Sequence, residues 1–453
     1  MKLALVVCLT LTIATVTGAG AQGIVAIRGA TVIAAGAAPM PDAVIVIEGP
    51  KISRVGPRAT TVIPANATIV DASGKYVVPG LADMHNHLGD GGMSQQQNVR
   101  ANLSTLLAFG VTTVFDPSSS VSEFADAKSA TSADTAPFPR FYGTGPIVTV
   151  KGDFLGASVG SPTPGTEAEA REVVKMLKAA GVDAIKVNRD DLSWASTRRL
   201  PLMPMDVLSA LVDEAHRQGL KVFAHAPMLA QAKDVLRAGG DGLLHGILDQ
   251  PVDEELIGLL RRNRAVYVPT LSVFEDVADV AGWARRQSMY DDRGIVAPIA
   301  DPFTSAAGVR MFESFFDNTP FTKSHLATAR ANVKAIADAD IPVVMGTDSG
   351  FYGVFAGVSS QLELALMVEA GLTPAAALRA ATVNAARMLG RDAQVGSIES
   401  GKMADLLVLD ANPLDDIRNL RRIHRVVKGG AVYDPAQLLG GVKSSAPPSS
   451  SNR

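Results

Sequence analysis

The run Pro79-Gly80-Leu81-Ala82-Asp83-Met84-His85-Asn86-His87-Leu88 decides how the rest of the chain is read. It is short and mostly apolar, and it ends in two histidines separated by one residue. In a strand, side chains two apart point to the same face, so His85 and His87 would converge at the end of a strand over Leu81–His85. Two convergent imidazoles suit Zn²⁺ or a similar borderline cation. A chance His-x-His on a surface loop is the plain alternative, and only the company these residues keep separates the two readings.

Working outward, the same design recurs. Short apolar runs at Val111–Phe115, Arg140–Gly143, Ala184–Val187, Lys221–His225, Gly242–His245, Ala265–Pro269 and Pro342–Gly346 read as strands. Amphipathic stretches lie between most of them. Thr166–Ala180 starts on a threonine, carries Glu167 and Glu169 in its first turn and stops before Gly181, which are helix start and stop signals. Met205–Gln218 and Ala230–Ala238 also end at glycine, and Asn332–Asp340 leads into the last run. Alternating strand and helix units predict a parallel sheet, and eight such units predict a closed (β/α)₈ TIM barrel. An open doubly wound sheet is the competing arrangement. No Gly-x-Gly-x-x-Gly turn follows an early strand to support it.

Ionisable residues stand at these strand ends. Lys186 lies in Ala184–Val187, His225 and His245 close their runs, and Asp348 follows Pro342–Gly346. Active sites of such barrels sit at the carboxyl ends of the strands. A lone buried histidine is ordinarily a packing residue, and a lone buried lysine is costly. Four of the seven histidines at strand ends of one barrel is hard to explain by packing. His216, His325 and His424 fall in helices or the terminal β region and read as structural.

Outside the barrel, residues 22–78 and 393–436 are rich in short β-branched runs, and together predict a small β-sandwich built from both ends of the chain, flanking a barrel over 79–392. Domain termini commonly lie close together. Met1-Lys2, the apolar run Leu3–Val16 and the small residues Ala19 and Ala21 predict a signal peptide over 1–21 and hence an exported protein, periplasmic or secreted. No apolar run after it is long enough to span a bilayer. The single cysteine, Cys8, falls inside that segment, so the mature chain would carry no thiol. Residues 437–453 are rich in Ser and Pro towards their end and predict a disordered tail. A chain of 453 residues with 47% hydrophobic content excludes disorder as a whole, and a formal net charge of −3 gives no footprint for nucleic acid.

The set His85, His87, Lys186, His225, His245 and Asp348 resembles, in order and spacing, the binuclear members of the metal-dependent amidohydrolase superfamily, in its imidazolonepropionase-like and prolidase-like branch. The resemblance extends to Gly396–Asp410, which is similar to the closing strands of that superfamily, and to the helix Thr382–Leu389. It implies two divalent metal ions, with Zn²⁺ the first choice. His85, His87 and Asp348 would hold one metal, His225 and His245 the other, and Lys186, carboxylated by CO₂, would bridge both. It further implies hydrolysis of an amide bond, in a dipeptide or N-acyl amino acid, by metal-activated hydroxide, with Asp348 moving the proton. A mononuclear hydrolase of cyclic amides or imidazolones is the second expectation, and a non-catalytic binding protein the third. The expected partner is a small molecule or dipeptide, and self-association into a homo-oligomer is left open.

One departure stands out. Many prolidase-like relatives carry a Ser-Gly-Gly type turn after the lysine, whereas this chain continues Val187-Asn188-Arg189-Asp190-Asp191. Arg189, Asp190 and Asp191 would lie at the barrel mouth, where they would either select a charged substrate end or form a solvated loop or a network behind the ligands; Tyr352 is a candidate for substrate contact. The stretch from Ser272 to Thr322 is long and aromatic, as a lid or a packed helical insertion would be.

Overall fold

The computed structural model describes residues 23–88, 99–153, 160–196, 199–294, 323–351 and 353–443. The candidate signal segment, Tyr352 and residues 295–322 of the long insertion lie outside them. Among the described residues no helix is long and apolar enough to cross a membrane.

The terminal regions build one mixed sheet. Its strands are β1 (Val25–Val32), β2 (Met40–Glu48), β3 (Lys51–Pro57), β4 (Thr68–Asp71) and β5 (Tyr76–Pro79) from the N-terminal side. From the C-terminal side come strands Leu406–Leu409, Ile423–Lys428 and Ala431–Tyr433. The N-terminal strand β5 lies between β1 and Leu406–Leu409, so both chain ends share the sheet. The sheet is not divided into the two layers expected of a sandwich. It curls, because β1 carries β4 along its first half and β5 along its second, and because the free edge of β3 meets the segment before Leu406, where Ile52 N–H donates to the Lys402 carbonyl at 2.8 Å. The curl encloses its own apolar cluster, including Ile27, Ile45, Ile52, Val77, Leu406 and Val408.

Between these ends run β6 (Leu81–Asp83), β7 (Val111–Asp116), β8 (Arg140–Gly143), β9 (Ala184–Asn188), β10 (Lys221–His225), β11 (Gly242–Leu243) and β12 (Val266–Tyr267). They form parallel sheets of three and four strands, β6-β7-β8 and β9-β10-β11-β12, rather than one closed eight-stranded ladder. The expected eighth strand, Pro342–Gly346, is present only as bridges. Val343 bridges Tyr267, and Met84 N–H donates to the Met345 carbonyl at 3.0 Å. A bridge between Val148, in the segment after β8, and Val187 of β9 brings the two sheets together. The irregular eighth segment has a local cause. Gly346 leaves room for the chain to press against β6, since a Cβ there would lie 2.6 Å from Val268 Cγ1 and 2.9 Å from His85 N.

Helices follow most strands: α1 (Val99–Ala108), α2 (Val121–Ala130), α3 (Glu167–Ala179), α4 (Met205–Arg217), α5 (Leu229–Arg237), α6 (Glu254–Asn263), α7 (Leu271–Ala278), α8 (Val280–Tyr290), α9 (Lys323–Asp338), α10 (Val358–Glu369), α11 (Pro374–Ala380) and α12 (Val383–Met388). Thr166 and Glu169 start α3 with a reciprocal capping box. The final helix, α13 (Pro435–Lys443), occupies positions expected in the disordered tail and packs against α1. Leu439, almost wholly buried, gives it an anchor.

Side-chain alternation places the site. Ala184 and Lys186 share one face of β9, and Phe223 and His225 one face of β10. The lower residues join an apolar plug with Phe115, Val266 and Val344. The upper ones, at the carboxyl ends, are the ionisable set.

Candidate metal centre

Asp348 is the hub. Its Oδ1 lies 3.2 Å from His85 Nε2 and 2.9 Å from His87 Nε2. One donor atom from each of His85, His87 and Asp348 falls within 4.8 Å of the others. The turn that delivers Asp348 is tightly specified. Thr347 and Asp348 both donate their N–H to the His85 carbonyl, at 3.2 and 2.8 Å. Asp348 itself is held at φ 63°. Aspartate tolerates this left-handed region better than most residues.

Four imidazoles run through the centre in contact. Ring centroids are 5.3 Å apart for His87 and His85, 4.7 Å for His85 and His245, and 4.3 Å for His245 and His225. Lys186, 2% exposed, sits on the neighbouring strand position. The structure therefore places all six sequence-derived ligand candidates in one region, although only His85, His87 and Asp348 bring donor atoms into a single tight group among the described residues.

Electrostatics divide the candidate ligands. Burial pulls His85 down to about 3, against the opposing pull of Asp348. His245 is also held well below the ordinary range, by burial and by the adjacent His225. In both, burial favours the neutral ring, the form that can donate a lone pair. Burial lowers His87 too, but its hydrogen bond to Asp348 and the charges of Asp348 and Asp116 outweigh that and leave it raised. Burial raises Asp348, and the neighbouring His85 and His87 more than reverse this, so it stays an anion. Lys186 is pulled down to about 7, chiefly by burial. The donor set fits a divalent cation. Buried His85 Nδ1 has no hydrogen-bond partner among the described residues, and one carboxylate oxygen is crowded between two ring nitrogens.

A second layer, invisible in the sequence reading, orients the ligands. His87 Nδ1 lies 3.2 Å from the Ser118 carbonyl and 3.8 Å from Asp116. Burial pushes Asp116 up to about 6. His245 Nδ1 lies 2.8 Å from Thr270 Oγ1. Thr270 is held at φ 47°, an outlier for a β-branched residue. Asp83 accepts from Thr347 Oγ1 at 2.9 Å and Ser360 Oγ at 2.8 Å, bracing the Asp348 turn from below. Glu363 accepts the N–H groups of Leu271 and Ser272 and so fixes the start of α7. Buried acids like these leave no sequence signal, because their partners are remote in the chain.

Arg189 does not face open space. It is buried, its Nη2 pairs with Asp234 at 2.6 Å, and its Nη1 donates to the Met203 carbonyl. His216 pairs with surface Asp241 at 2.8 Å. Tyr352 lies outside the described residues.

An α/β architecture with a His-His-Asp group at its strand ends defines the class, a scaffold built around a candidate metal centre. The amidohydrolase family model matches residues 76–432, and the chain belongs to the amidohydrolase family. Among solved structures, a protein of Bifidobacterium longum assigned as a prolidase is 29% identical, with a TM-score of 0.72 over 93% of this chain and 98% of that one. A Xaa-Pro dipeptidase with bound methionine is 24% identical, with a TM-score of 0.72 over 91% of this chain and 100% of that one, and shares the fold. Ochratoxinase of Aspergillus niger is 26% identical over 309 residues, 66% of this chain and 53% of that protein. That match spans only about half the relative's length.

Proposed function

We propose that this protein is an exported, binuclear metal-dependent hydrolase that cleaves the amide bond of a dipeptide or N-acyl amino acid. The observation that carries the reading is the unbroken run of four imidazoles, with Asp348 at one end and Lys186 on the adjoining strand. In this reading the eight strand segments close as a barrel over 79–392, and the terminal regions 22–78 and 393–436 form a sandwich-like unit beside it.

His85, His87 and Asp348 would hold one Zn²⁺, and His225 and His245 a second. Bound metal would polarise the scissile carbonyl and acidify the attacking water. Lys186 would span both as a carbamate. A lysine held near neutrality offers an uncharged amine, which attacks CO₂, forms an N–C bond and loses one proton. The product is an anion where an ammonium would repel metal. Asp348 would take the proton of the nucleophile and pass it to the leaving amine. Peptide-like substrates are supported by the prolidase and dipeptidase names among the relatives. Tyr352 is kept as a substrate contact. Arg189, its guanidinium committed to Asp234 and Met203, would act by fixing the loop rather than touching substrate.

A mononuclear cyclic-amide hydrolase is the second reading. It is favoured by a match of 38% identity over 117 residues to imidazolonepropionase of Geobacillus kaustophilus, 25% of this chain and 27% of that protein. Metal analysis separates the two. About two equivalents of metal per chain, falling in Lys186→Ala, with chelation abolishing and Zn²⁺ restoring cleavage on a panel of dipeptides, N-acyl amino acids and lactams, is the expected result. One tightly held metal, indifferent to Lys186→Ala, would refute the binuclear reading.

A further inference from the structure

A second cavity lies beneath the apolar plug, at the end of the strands away from the metal centre. Ala184 and Lys221, the first residues of β9 and β10, stand on its wall, whereas Lys186 and His225 lie towards the carboxyl ends of the same strands. Its volume is about 330 Å³, the size of a small-ligand site. Phe115 and Phe223, almost wholly buried and packed edge-to-face at 5.7 Å, give it an apolar floor, to which Tyr142 adds a half-buried ring.

Positive charge gathers at its mouth. Lys178, from the last turn of α3, lines it together with Lys221 and Arg391. Among the described residues the one acid on the wall is Asp183, and its oxygens are already engaged. They accept Lys128 Nζ at 2.9 and 2.8 Å and the Gly143 N–H at 2.9 Å. Helix ends explain part of the charge, since cations in a last turn offset the helix dipole. Lys221 Nζ fits that role, donating to the Arg387 and Met388 carbonyls at 3.3 and 2.8 Å. Arg391 does not. Gly390, at φ 66°, closes α12 in a Schellman turn, its N–H donating to the Arg387 carbonyl at 3.0 Å and that of Arg391 to the Ala386 carbonyl at 2.8 Å. The turn carries the Arg391 guanidinium off the helix end and over the Tyr142 ring, with Cζ 5.8 Å from the ring centroid. Among the described residues the Arg391 guanidinium, the Lys178 ammonium and the Tyr142 hydroxyl have no hydrogen-bond or ion-pair partner.

We propose that this cavity is a second ligand site, separate from the metal centre, for a small aromatic oxyanion, a carboxylate or phosphate carried on one ring. The ring would rest on Phe115 and Phe223, and the oxyanion would take the Arg391 fork, Lys178 and the Tyr142 hydroxyl. The inference stands on the cavity's own residues and does not rest on the metal count or the substrate of the centre.

The test titrates full-length protein with benzoate and phenyl phosphate by calorimetry, with acetate, inorganic phosphate and benzyl alcohol as comparators. At least one of the two aromatic anions should bind one-to-one, about tenfold or more tighter than the anion without a ring or the ring without a charge. The tighter of the two identifies the head group. An oxyanion also binds at a metal ion, so variants locate the site. Arg391→Gln should weaken the aromatic anion about 10–100-fold, the loss of one charge-assisted contact. Arg391→Lys, which keeps the charge but not the fork, should recover part of that. Lys178→Gln should cost a few fold, and it carries the test if Arg391→Gln does not fold. Metal content and thermal midpoint should match the wild type in each. Absence of saturable binding by either aromatic anion would overturn the proposal and leave the cations as complements to helix ends. Equal affinity for the ringless anions would overturn it as well. So would undiminished binding in folded Arg391→Gln and Lys178→Gln proteins, because the ligand would then sit elsewhere.

Discussion

Gly350→Ala should damage this protein far more than an ordinary glycine substitution, and the structure supplies its own control. Gly350 has φ 97°, and a Cβ added there would sit inside van der Waals contact of the His87 carbonyl oxygen and 2.8 Å from His87 Cβ. The obstructing atoms are the His87 carbonyl and Cβ, none of which a rotamer change moves. Gly74 has φ 74° with nothing within 4 Å of its virtual Cβ. Both variants carry the left-handed penalty of about 1–2 kcal/mol. Only Gly350→Ala adds an overpacking cost of about 1–3 kcal/mol. It also strains the His87 N–H bond to the Ser349 carbonyl, now 2.7 Å long and worth about 1 kcal/mol. The expected difference between the two variants is about 2–4 kcal/mol by urea unfolding of metal-free protein. Metal content should diverge as well, because separating residues 349–350 from His87 moves a ligand whose distance to metal has only about 0.2 Å of tolerance. If the two variants unfold within about 0.5 kcal/mol of each other and Gly350→Ala retains full metal, the argument from close approach is wrong.

Thr270→Val keeps the branched shape and the strained φ but strips His245 Nδ1 of its partner; a loss of about 1–3 kcal/mol is expected, with weaker metal uptake, and Thr270→Ser should restore uptake. Glu363 offers a pH test. Burial raises it to about 8 from an ordinary value of 4.5, so the folded state holds a proton that the unfolded state releases. Stability from this group is therefore complete below pH 4.5 and declines as pH rises towards 8, by up to about 1.4 kcal/mol per pH unit. Glu363→Gln should flatten the denaturation midpoint across that window, and an unchanged slope would count against a buried neutral acid. Chelation of the purified protein should lower its thermal midpoint, with Zn²⁺ restoring it; a midpoint indifferent to both would argue that His85, His87 and Asp348 hold no ion.

The candidates were legible as ionisable residues in or just after short apolar runs, where strand alternation sends side chains to one face. Strand alternation alone pointed to a shared face for His85 and His87, whereas Asp348, delivered by a turn at φ 63°, is not placed by that periodicity. Strand limits were clear where the runs are β-branched, as at Val111–Asp116, and unclear at Gly242–Leu243 and Pro342–Gly346, where glycines and close backbone approach break the ladder into two-residue strands and bridges. Arg189 shows the limit for single side chains. Its position in sequence says barrel mouth, while its partners, Asp234 and Met203, are set by α5 and the loop before α4. Asp83 was equally hidden. It looks like one more strand residue until the turn at Thr347, 264 positions later, comes to rest on it.

The curled terminal sheet also constrains the order of assembly. Strand β5 has its partner on one side only when Leu406–Leu409 arrives, and the ion pair across that seam joins Lys75 to Asp410, 335 positions apart. A chain emerging from its N-terminus makes β1 to β3 early as a local meander, then carries β5 as an open strand edge while nearly all of the rest is synthesised. Such an edge invites pairing with other chains until it is covered. The stretch from Leu406 onward is thus a closing stitch, and truncations that spare every ligand but remove residues beyond 405 should leave one edge of β5 unpaired and the protein prone to aggregate.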